Sequence, residues 1–334
     1  MSKNSHPFLA ALLALASTGA AASCGSSFCS VDTHWDTQGL SSDEGLRVDL
    51  RYAFARADRW RAGASRKALP PPSGSDEEIE DKRTLNRIVN LEAEYAIDAR
   101  WNVALGVPLV IRDHSHTFDS SLAGPFSQVA RFSRAGDMRL LGKYKFEASS
   151  LGSGSGLRFG LKLPTGDIRQ RMSPPDPAAP GVPYALERAS QPGTGSSDAI
   201  LGAYYFRTLP EAGWGWFASA QAQAAFATRD HYRPGSELKA DFGLHFALTP
   251  SLTALLQLNL LQRARDEGRN ANPASGGHSL SLSPGLSWLL APQTQVYGMA
   301  QFALRQYVNK DPADPASGQL TAPRSFAFGI GHRF

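Results

Sequence analysis

Short segments in which apolar and polar residues alternate run through the sequence from residue 45 to the C-terminus. In the first, residues 46–54, apolar positions alternate with Arg47, Asp49 and Arg51. A period of two is that of a β-strand with one apolar and one polar face. About twelve segments of roughly ten residues follow this pattern, which is typical of membrane barrels. The sequence therefore predicts an all-β fold, a closed antiparallel transmembrane β-barrel over residues 45–334, located in the outer membrane.

The connections between the segments alternate in length. The long ones are rich in Gly, Pro, Asp and Ser and cover residues 58–80, 114–135, 166–195, 229–235, 265–277 and 310–321. The short ones cover residues 98–100, 149–153, 210–213, 249–251 and 291–294. Outer-membrane barrels have long extracellular loops and short periplasmic turns. We therefore expect the long loops outside the cell and both chain ends in the periplasm.

Aromatic residues on the apolar face collect near the predicted short turns and the C-terminus: Tyr95, Trp101, Tyr144, Phe146, Trp214, Trp216, Phe246, Trp288 and Phe334. Aromatic rings favour the interface between lipid and water, whereas a soluble β-sandwich has no reason for such a belt. Outer-membrane lipid is thus an expected partner. The chain also ends on Phe334 after an alternating strand, which resembles the terminal sequence that the barrel assembly machinery binds, so we expect that machinery as a second partner.

Composition and charge exclude other classes of protein. The N-terminal region aside, the sequence has no run of 18 apolar residues, so no transmembrane helix is predicted. Only 19% of the residues are charged, and the formal net charge of +4 is scattered along the chain. Scattered bases do not form a nucleic-acid groove, and we expect no nucleic-acid partner.

The N-terminus reads as an export sequence. Residues 1–23 combine Lys3, a short apolar stretch and small residues, as in a secretory signal peptide, and residues 24–44 are expected to form a periplasmic segment. That segment holds Cys24 and Cys29, the two cysteines of the chain. A disulfide between them is predicted for an oxidising compartment. A lipid anchor at Cys24 and thiolate binding of a metal are the alternatives, although neither the lipobox nor the metal-ligand spacing matches well.

Charged residues on the polar face give the functional evidence. Ten bases and seven acids fall on this face, and the excess of bases lies on the fourth and fifth strands, where Arg139, Lys143, Lys145, Arg158 and Lys162 form a basic ladder. The other charges expected in the lumen include Arg47, Arg51, Arg112, Lys239, Arg305, Glu92, Glu94 and Asp241. Charged rings set the selectivity of a pore, which predicts an anion preference. The alternative is that these side chains fill the lumen as ion pairs.

Catalytic and metal-binding patterns are weak. His278 and Ser279 are adjacent, but alternation directs their side chains to opposite faces, so no catalytic residue is predicted. His114 and His116 share one face where the third strand meets its loop, and they are a weak candidate for a metal site. No metal and no cofactor are expected.

Three motifs carry a family resemblance. Residues 159–167 read FGLKLPTGD, residues 191–198 read QPGTGSSD, and residues 282–288 read LSPGLSW. This combination resembles the outer-membrane proteins of the MetA-type phenol-degradation family. The resemblance implies a barrel for the uptake or export of small, often aromatic compounds. It gives no role to Cys24 and Cys29, which lie outside the motifs.

The sequence thus predicts a non-enzymatic outer-membrane channel or transporter for small organic solutes, aromatic or anionic, that move by passive diffusion. A structural or partner-binding barrel with a filled lumen is the alternative. A lipid-modifying enzyme is a more distant one.

Overall fold

A computed structural model describes residues 31–40, 45–67, 78–120, 124–148, 150–175, 184–314 and 317–334. The predicted signal peptide and the Cys24 and Cys29 pair lie outside these residues, so the disulfide stays a prediction. The strands within the described residues are β1 Leu46–Ala57, β2 Arg59–Ala62, β3 Ser65–Arg66, β4 Glu78–Ala96, β5 Trp101–Ser120, β6 Gly124–Ala135, β7 Arg139–Lys145, β8 Ser153–Lys162, β9 Ser197–Leu209, β10 Trp214–Ala227, β11 Glu237–Ala247, β12 Leu252–Arg263, β13 Gly277–Ala291, β14 Thr294–Val308, β15 Gln319–Thr321 and β16 Arg324–Arg333. Three one-turn 3-10 helices cover Trp35–Gln38, Arg188–Ser190 and Pro210–Ala212. In this part of the chain, no helix is long and apolar enough to cross a membrane.

The long strands close into one antiparallel barrel. Neighbours in sequence are hydrogen-bonded to each other, and β1 joins β4 on one side and β16 on the other. β6 pairs with residues 109–120 of β5, and β7 pairs with residues 101–106 of the same strand. The thirteen strands of the sheet therefore fill twelve positions, because β6 and β7 share one. The closed antiparallel barrel that the sequence predicts is confirmed, and its architecture is that of an outer-membrane barrel.

The two faces of the barrel differ as the alternation predicts. On the outer face, Leu91 of β4 and Phe242 of β11 are exposed. On the inner face, Asn259 of β12 and Ser283 of β13 are buried, and the Ser283 hydroxyl donates a hydrogen bond to Asn259 Oδ1 at 2.6 Å. An apolar exterior and a polar, hydrogen-bonded interior are what a barrel surrounded by lipid requires.

Most of the predicted aromatic belt lies exposed on the outer face, with Tyr95, Trp101, Phe146, Phe246, Trp288 and Phe334 as its exposed members. Trp101 also packs against Tyr144 of the neighbouring strand, with ring centroids 4.8 Å apart. These rings are near the end of the barrel that carries the short turns. They mark the height at which one surface of a membrane would meet the protein.

The connection expected over residues 114–135 is wrong, because most of it is strand. β5 continues to Ser120 and β6 starts at Gly124, so a long hairpin extends beyond the rest of the barrel. Its inner face carries the apolar side chains of Ala130 and Phe132, which pack with Met172 of the loop between β8 and β9. In β6 the contrast is the reverse of that in the other strands, because Ala130 and Phe132 face inward while Arg131 and Ser133 are exposed, and a pattern that expects the apolar face outside therefore missed it.

Candidate functional site

Residues 31–40 lie inside the barrel. Trp35 is completely buried, and its ring meets the Tyr297 ring edge-on with centroids 4.7 Å apart. Leu255 and Met299 extend the same apolar patch on the inner wall. Water against such a patch is unfavourable, so the patch favours a segment that covers it. The periplasmic position expected for residues 24–44 therefore does not hold for residues 31–40, which are held in the lumen by this packing.

An ion triad joins this segment to the barrel wall. The ammonium of Lys143 on β7 pairs with the Asp36 carboxylate and with that of Glu94 on β4. All three side chains are largely buried. Burial raises the pKa of Asp36, but the charge of Lys143 and its hydrogen bond outweigh burial, and the pKa lies well below its ordinary value. Asp36 is therefore ionised at neutral pH and provides a negative charge next to Lys143.

Asp32 attaches the start of the segment to the opposite side of the lumen. The Asp32 backbone N–H donates to Gln257 Oε1 at 3.2 Å, and Gln257 Nε2 donates back to the Asp32 carbonyl at 2.9 Å. The Ser219 hydroxyl donates to the Asp32 carboxylate at 3.0 Å. Burial raises the pKa of Asp32, but the hydrogen bond and charge of His34 outweigh it, and the pKa is lowered.

Two further hydrogen bonds reach β1 and β8. Arg51 Nη1 donates to Thr33 Oγ1 at 2.6 Å, and Arg158 Nη2 donates to Thr37 Oγ1 at 3.3 Å. Together with the bonds of Asp32 and Asp36, they connect the segment to strands all around the barrel. Residues 31–40 are thus packed and hydrogen-bonded inside the barrel, and they narrow the lumen.

The five residues of the basic ladder lie at inward-facing positions on two paired strands. Arg139 stands opposite Lys162, and Lys143 stands opposite Arg158. Lys145 lies on the same face, nearest to the short turn after β7. The structure therefore brings the predicted ladder together, while its role in ion selectivity stays a prediction.

Two members of the ladder are neutralised by acids that come from other elements. Lys143 meets Asp36 and Glu94, as described above. Lys162 Nζ lies 2.8 Å from Asp198 Oδ2 and 3.6 Å from Asp137 Oδ2. Glu94 and Asp137 are among the seven acids that the sequence placed on this face, whereas Asp36 and Asp198 lie outside the predicted strands and were missed. The excess of positive charge is accordingly smaller than the ladder alone suggests.

A cavity of about 110 Å³ lies between the N-terminal segment and the inner wall of β7 to β11. Its lining combines four cations with two carboxylates and with apolar side chains. The charged members are Arg51, Arg139, Arg158, Lys239, Asp32 and Asp241, with His34 beside them, and the apolar members include Val31, Leu141, Ile200 and Tyr204. It is much larger than a second lumen cavity at this segment, which measures about 20 Å³.

The other charges predicted in the lumen are on the inner face with one exception. Those at inward-facing positions are Arg47, Arg51, Arg112, Lys239, Glu92, Glu94 and Asp241. Arg305 is the correction. The register between β13 and β14 shifts by one residue between Ala303 and Arg305, and this β-bulge reverses the alternation, so that Gln306 is buried inside and Arg305 is exposed outside.

His114 and His116 lie within β5 and are both buried on its inner face. Their Nε2 atoms contact each other, and His114 Nδ1 shares a 2.7 Å hydrogen bond with the Thr84 hydroxyl. Among the described residues, no group of three or more His, Cys, Asp or Glu side chains could hold a metal ion. The two histidines are packed against each other and against Thr84 on the inner face of the barrel wall.

Sequence reasoning missed Asp32, Trp35 and Asp36 because they precede the first strand. One sequence feature could have found them: the run VDTHWD, residues 31–36, places a tryptophan between two acids directly before a barrel with excess lumenal bases. Acids near excess bases, and an aromatic residue outside any strand, both need partners.

Comparison with known proteins supports this architecture. Residues 182–312 match the family model of the MetA-pathway of phenol degradation. The crystal structure of the COG4313 outer membrane channel from Pseudomonas putida F1 is similar, with 14% identity, a TM-score of 0.61, and coverage of 91% of this chain and 100% of that chain. The CymD monoaromatic hydrocarbon channel matches less well, with 9% identity, a TM-score of 0.44 and coverage of 92% and 94%. The toluene transporter TbuX of Ralstonia pickettii has 11% identity, a TM-score of 0.42 and coverage of 89% and 91%. No curated protein sequence matches significantly.

Proposed function

We propose that this protein is an outer-membrane channel for small organic solutes that move by passive diffusion. The observation that carries the proposal is the closed barrel of twelve positions, apolar outside and polar inside. A ring of this size is wide enough for a narrow aqueous path unless other groups fill it. Residues 31–40 narrow that path, and a cavity of about 110 Å³ remains between the segment and the wall.

The comparisons support organic solutes as the cargo. The structure with the similar fold is that of an outer membrane channel, and the matching family is that of the MetA-pathway of phenol degradation. The lumen fits this, because the polar wall is interrupted by apolar side chains such as Leu141 and Ile200. A mixed wall of this kind allows a molecule with an apolar body and one polar group to replace its hydration in steps.

Transport fits the geometry better than catalysis does. His278 and Ser279 point to opposite faces of β13, and the His278 ring stacks on Tyr307 with centroids 5.0 Å apart. A serine nucleophile needs its base within hydrogen-bond distance. We therefore assign the protein no catalytic role.

The experiment that separates a channel from a filled barrel is conductance in planar bilayers. Wild type is expected to show small single-channel conductance steps. The double variant Trp35→Ala with Asp36→Ala should show larger steps, because loss of the buried Trp side chain destabilises the bound segment by about 3 kcal/mol or more and releases it from the wall. Arg100→Ala, in an exposed turn, is the matched control and should behave like wild type. If neither wild type nor the double variant conducts although both are folded, the lumen is filled and the proposal is wrong.

A further inference from the structure

The cavity beside the N-terminal segment lies where small inward-facing residues leave the wall bare. Gly202 stands opposite Arg158 of β8 on one side and Gln221 of β10 on the other. With no side chain at Gly202, the space between these two longer residues stays open, and Gly202 lines the cavity of about 110 Å³. The Arg158 guanidinium borders this space.

Arg158 is buried and incompletely bonded. Its side chain donates to Thr37 Oγ1 at 3.3 Å and to Gln221 Oε1 at 3.5 Å, while its buried Nε has no hydrogen-bond partner. The residue is only 7% exposed. Among the described residues, no carboxylate lies within ion-pair distance of Arg158, in contrast to Lys143 on the neighbouring strand. Its charge acts only from a greater distance on the carboxylates around it, which are Asp32, Asp36, Glu92 and Asp241.

Arg139, which is half-buried, gives the same cavity a second guanidinium. It faces inward on β7, two residues before Leu141, which lines the same cavity. Within the described residues, no acid lies in ion-pair contact with Arg139. The two acids that line the cavity are already engaged: Asp32 by His34 and Ser219, and Asp241 by Asn259, whose Nδ2 donates to it at 2.6 Å. The cavity therefore keeps two guanidinium groups available for an anion.

A buried guanidinium with an unsatisfied N–H and no carboxylate in direct contact is costly, and an anionic ligand that bonded to it would lower that cost. The planar fork of arginine matches a carboxylate, which accepts two parallel hydrogen bonds from it. On the other side, Leu141, Ile200 and Tyr204 offer apolar surface. A cavity of about 150 Å³ is known to hold a benzene ring. At about 110 Å³ this cavity is smaller, so it has room for the carboxylate and the adjoining carbon atoms, and a larger apolar body would extend from it into the lumen.

We propose that this cavity is a binding site for small organic carboxylates, with Arg139 and Arg158 holding the carboxylate and Leu141, Ile200 and Tyr204 contacting the apolar body. This inference rests on the proposed function and names the class of solute that the channel selects. A carboxylate bound here would lie in the path of any solute that passes between the N-terminal segment and β7 to β9. The site therefore acts as the selectivity point of the lumen.

The test compares benzoate with benzamide, which has the same shape and no charge, by calorimetric titration of the full mature protein in detergent. Hydrogen bonds to charged groups contribute about 1.5–3 kcal/mol, which corresponds to roughly 10- to 100-fold in affinity. We expect benzoate to bind tighter than benzamide by such a factor. Arg139→Gln with Arg158→Gln should abolish the difference, and Arg139→Gln alone, at a half-buried and unpaired position, should reduce it.

Lys145→Gln is the matched control, because it removes an inward cation of the same strand outside the cavity lining, and it should keep the preference. Equal affinity for the two probes, no binding of either, or an unchanged preference in the folded double variant would each overturn the inference. Uptake of benzamide into proteoliposomes separates this result from the function. If benzamide passes and benzoate has no advantage, only the carboxylate site is wrong; if nothing passes, even with Trp35→Ala and Asp36→Ala, the channel itself is wrong.

Discussion

Lys143 is the residue on which the N-terminal segment depends most. Its ammonium lies between the carboxylates of Asp36 and Glu94, and its side chain is 3% exposed. Removing one partner of a buried ion pair typically costs about 3–5 kcal/mol, because the remaining charge is left without a partner in a poorly solvated place. Asp36 is the partner that can leave, since it belongs to the segment and not to the wall.

The first prediction concerns the pH dependence of this contact. The pKa of Asp36 is lowered when the segment is bound in the lumen, so its carboxylate stabilises the bound state above the ordinary value of 3.8. That stabilisation is lost as the pH falls from there towards the lowered pKa. We therefore expect single-channel conductance to stay constant between about pH 7 and 5 and to rise below about pH 4. Asp36→Asn should make this rise clearly smaller, and the remainder comes from Asp32, whose pKa is also lowered.

Glu211→Gln is the control, because Glu211 is an exposed acid in the turn Pro210–Ala212 and touches no residue of the segment. It should keep the wild-type profile. Identical profiles for wild type and Asp36→Asn would contradict the role given to this carboxylate.

For single residues, the sequence predicts well on which face of the sheet a side chain lies, but it predicts poorly which residue that side chain contacts. Alternation placed Arg139, Lys143 and Arg158 on the inner face, because the period of two in a strand is fixed by backbone geometry. It could not show that Asp36 reaches Lys143 over 107 residues of sequence, since that contact depends on how a non-strand segment folds back. Partner identity is set by tertiary contacts, which no local pattern encodes.

Among the elements, β6 and β7 show where a regular pattern ends. They share one position of the barrel, yet the chain between them, residues 136–138, leaves the strand geometry. Asp137 lies there, and its carboxylate accepts hydrogen bonds from the Gly166 and Thr194 backbone N–H groups at 3.0 and 2.8 Å. Asp137 thus joins the end of the motif at residues 159–167 to the motif at residues 191–198. These hydrogen bonds give both motifs a structural role.

The second prediction concerns the side on which each connection lies. In a chain with Cys24→Ser and Cys29→Ser, a cysteine at Arg269, in the exposed loop between β12 and β13, should react with a membrane-impermeant thiol reagent on intact cells. A cysteine at Ala99, in the exposed turn between β4 and β5, should react only after the outer membrane is permeabilised. Labelling of Ala99→Cys alone on intact cells would show that the orientation is the reverse.

The sequence predicted most strands but not all of their bounds. Strands with one apolar and one polar face, such as β1 and β11, have clear alternation. Residues 199–206 of β9 are apolar on both faces, and only the structure shows that Ile200 and Tyr204 point inward while Leu201 points out. The bulge in β14 is likewise unreadable, because one extra residue changes the faces without changing the composition.

The molecule as a whole is closed by its two terminal strands, and Phe334 lies beside that closure. Its backbone N–H donates to the Leu46 carbonyl at 2.8 Å, while its side chain is 70% exposed. Its ring packs against His332 two residues earlier, with centroids 4.6 Å apart, so this contact does not join one strand to another. We propose that it is there for the barrel assembly machinery, which receives the unfolded chain.

The third prediction follows from that exposure. Phe334→Ala should lower the amount of barrel in the outer membrane several-fold, yet leave the unfolding temperature of the purified, refolded protein almost unchanged. Trp288→Ala removes another exposed aromatic side chain of the belt and is the control, with a normal amount in the membrane. An unchanged amount of Phe334→Ala in cells would remove the case for recognition of this residue.

The enclosure of residues 31–40 also orders events in time. The barrel wall is completed by β1 against β16, with Arg47 opposite Arg333, and the contact of Asp32 with Gln257 spans 225 residues. Contacts so distant along the chain form slowly, because closing a long loop costs conformational entropy before the contact can stabilise the structure. The segment is synthesised early, but it can bind its partner Gln257 only after β12 has formed. It must therefore lie inside the sheet before β1 pairs with β16, or enter the closed barrel afterwards along the barrel axis. The first described part of the chain is in this way among the last to reach its place.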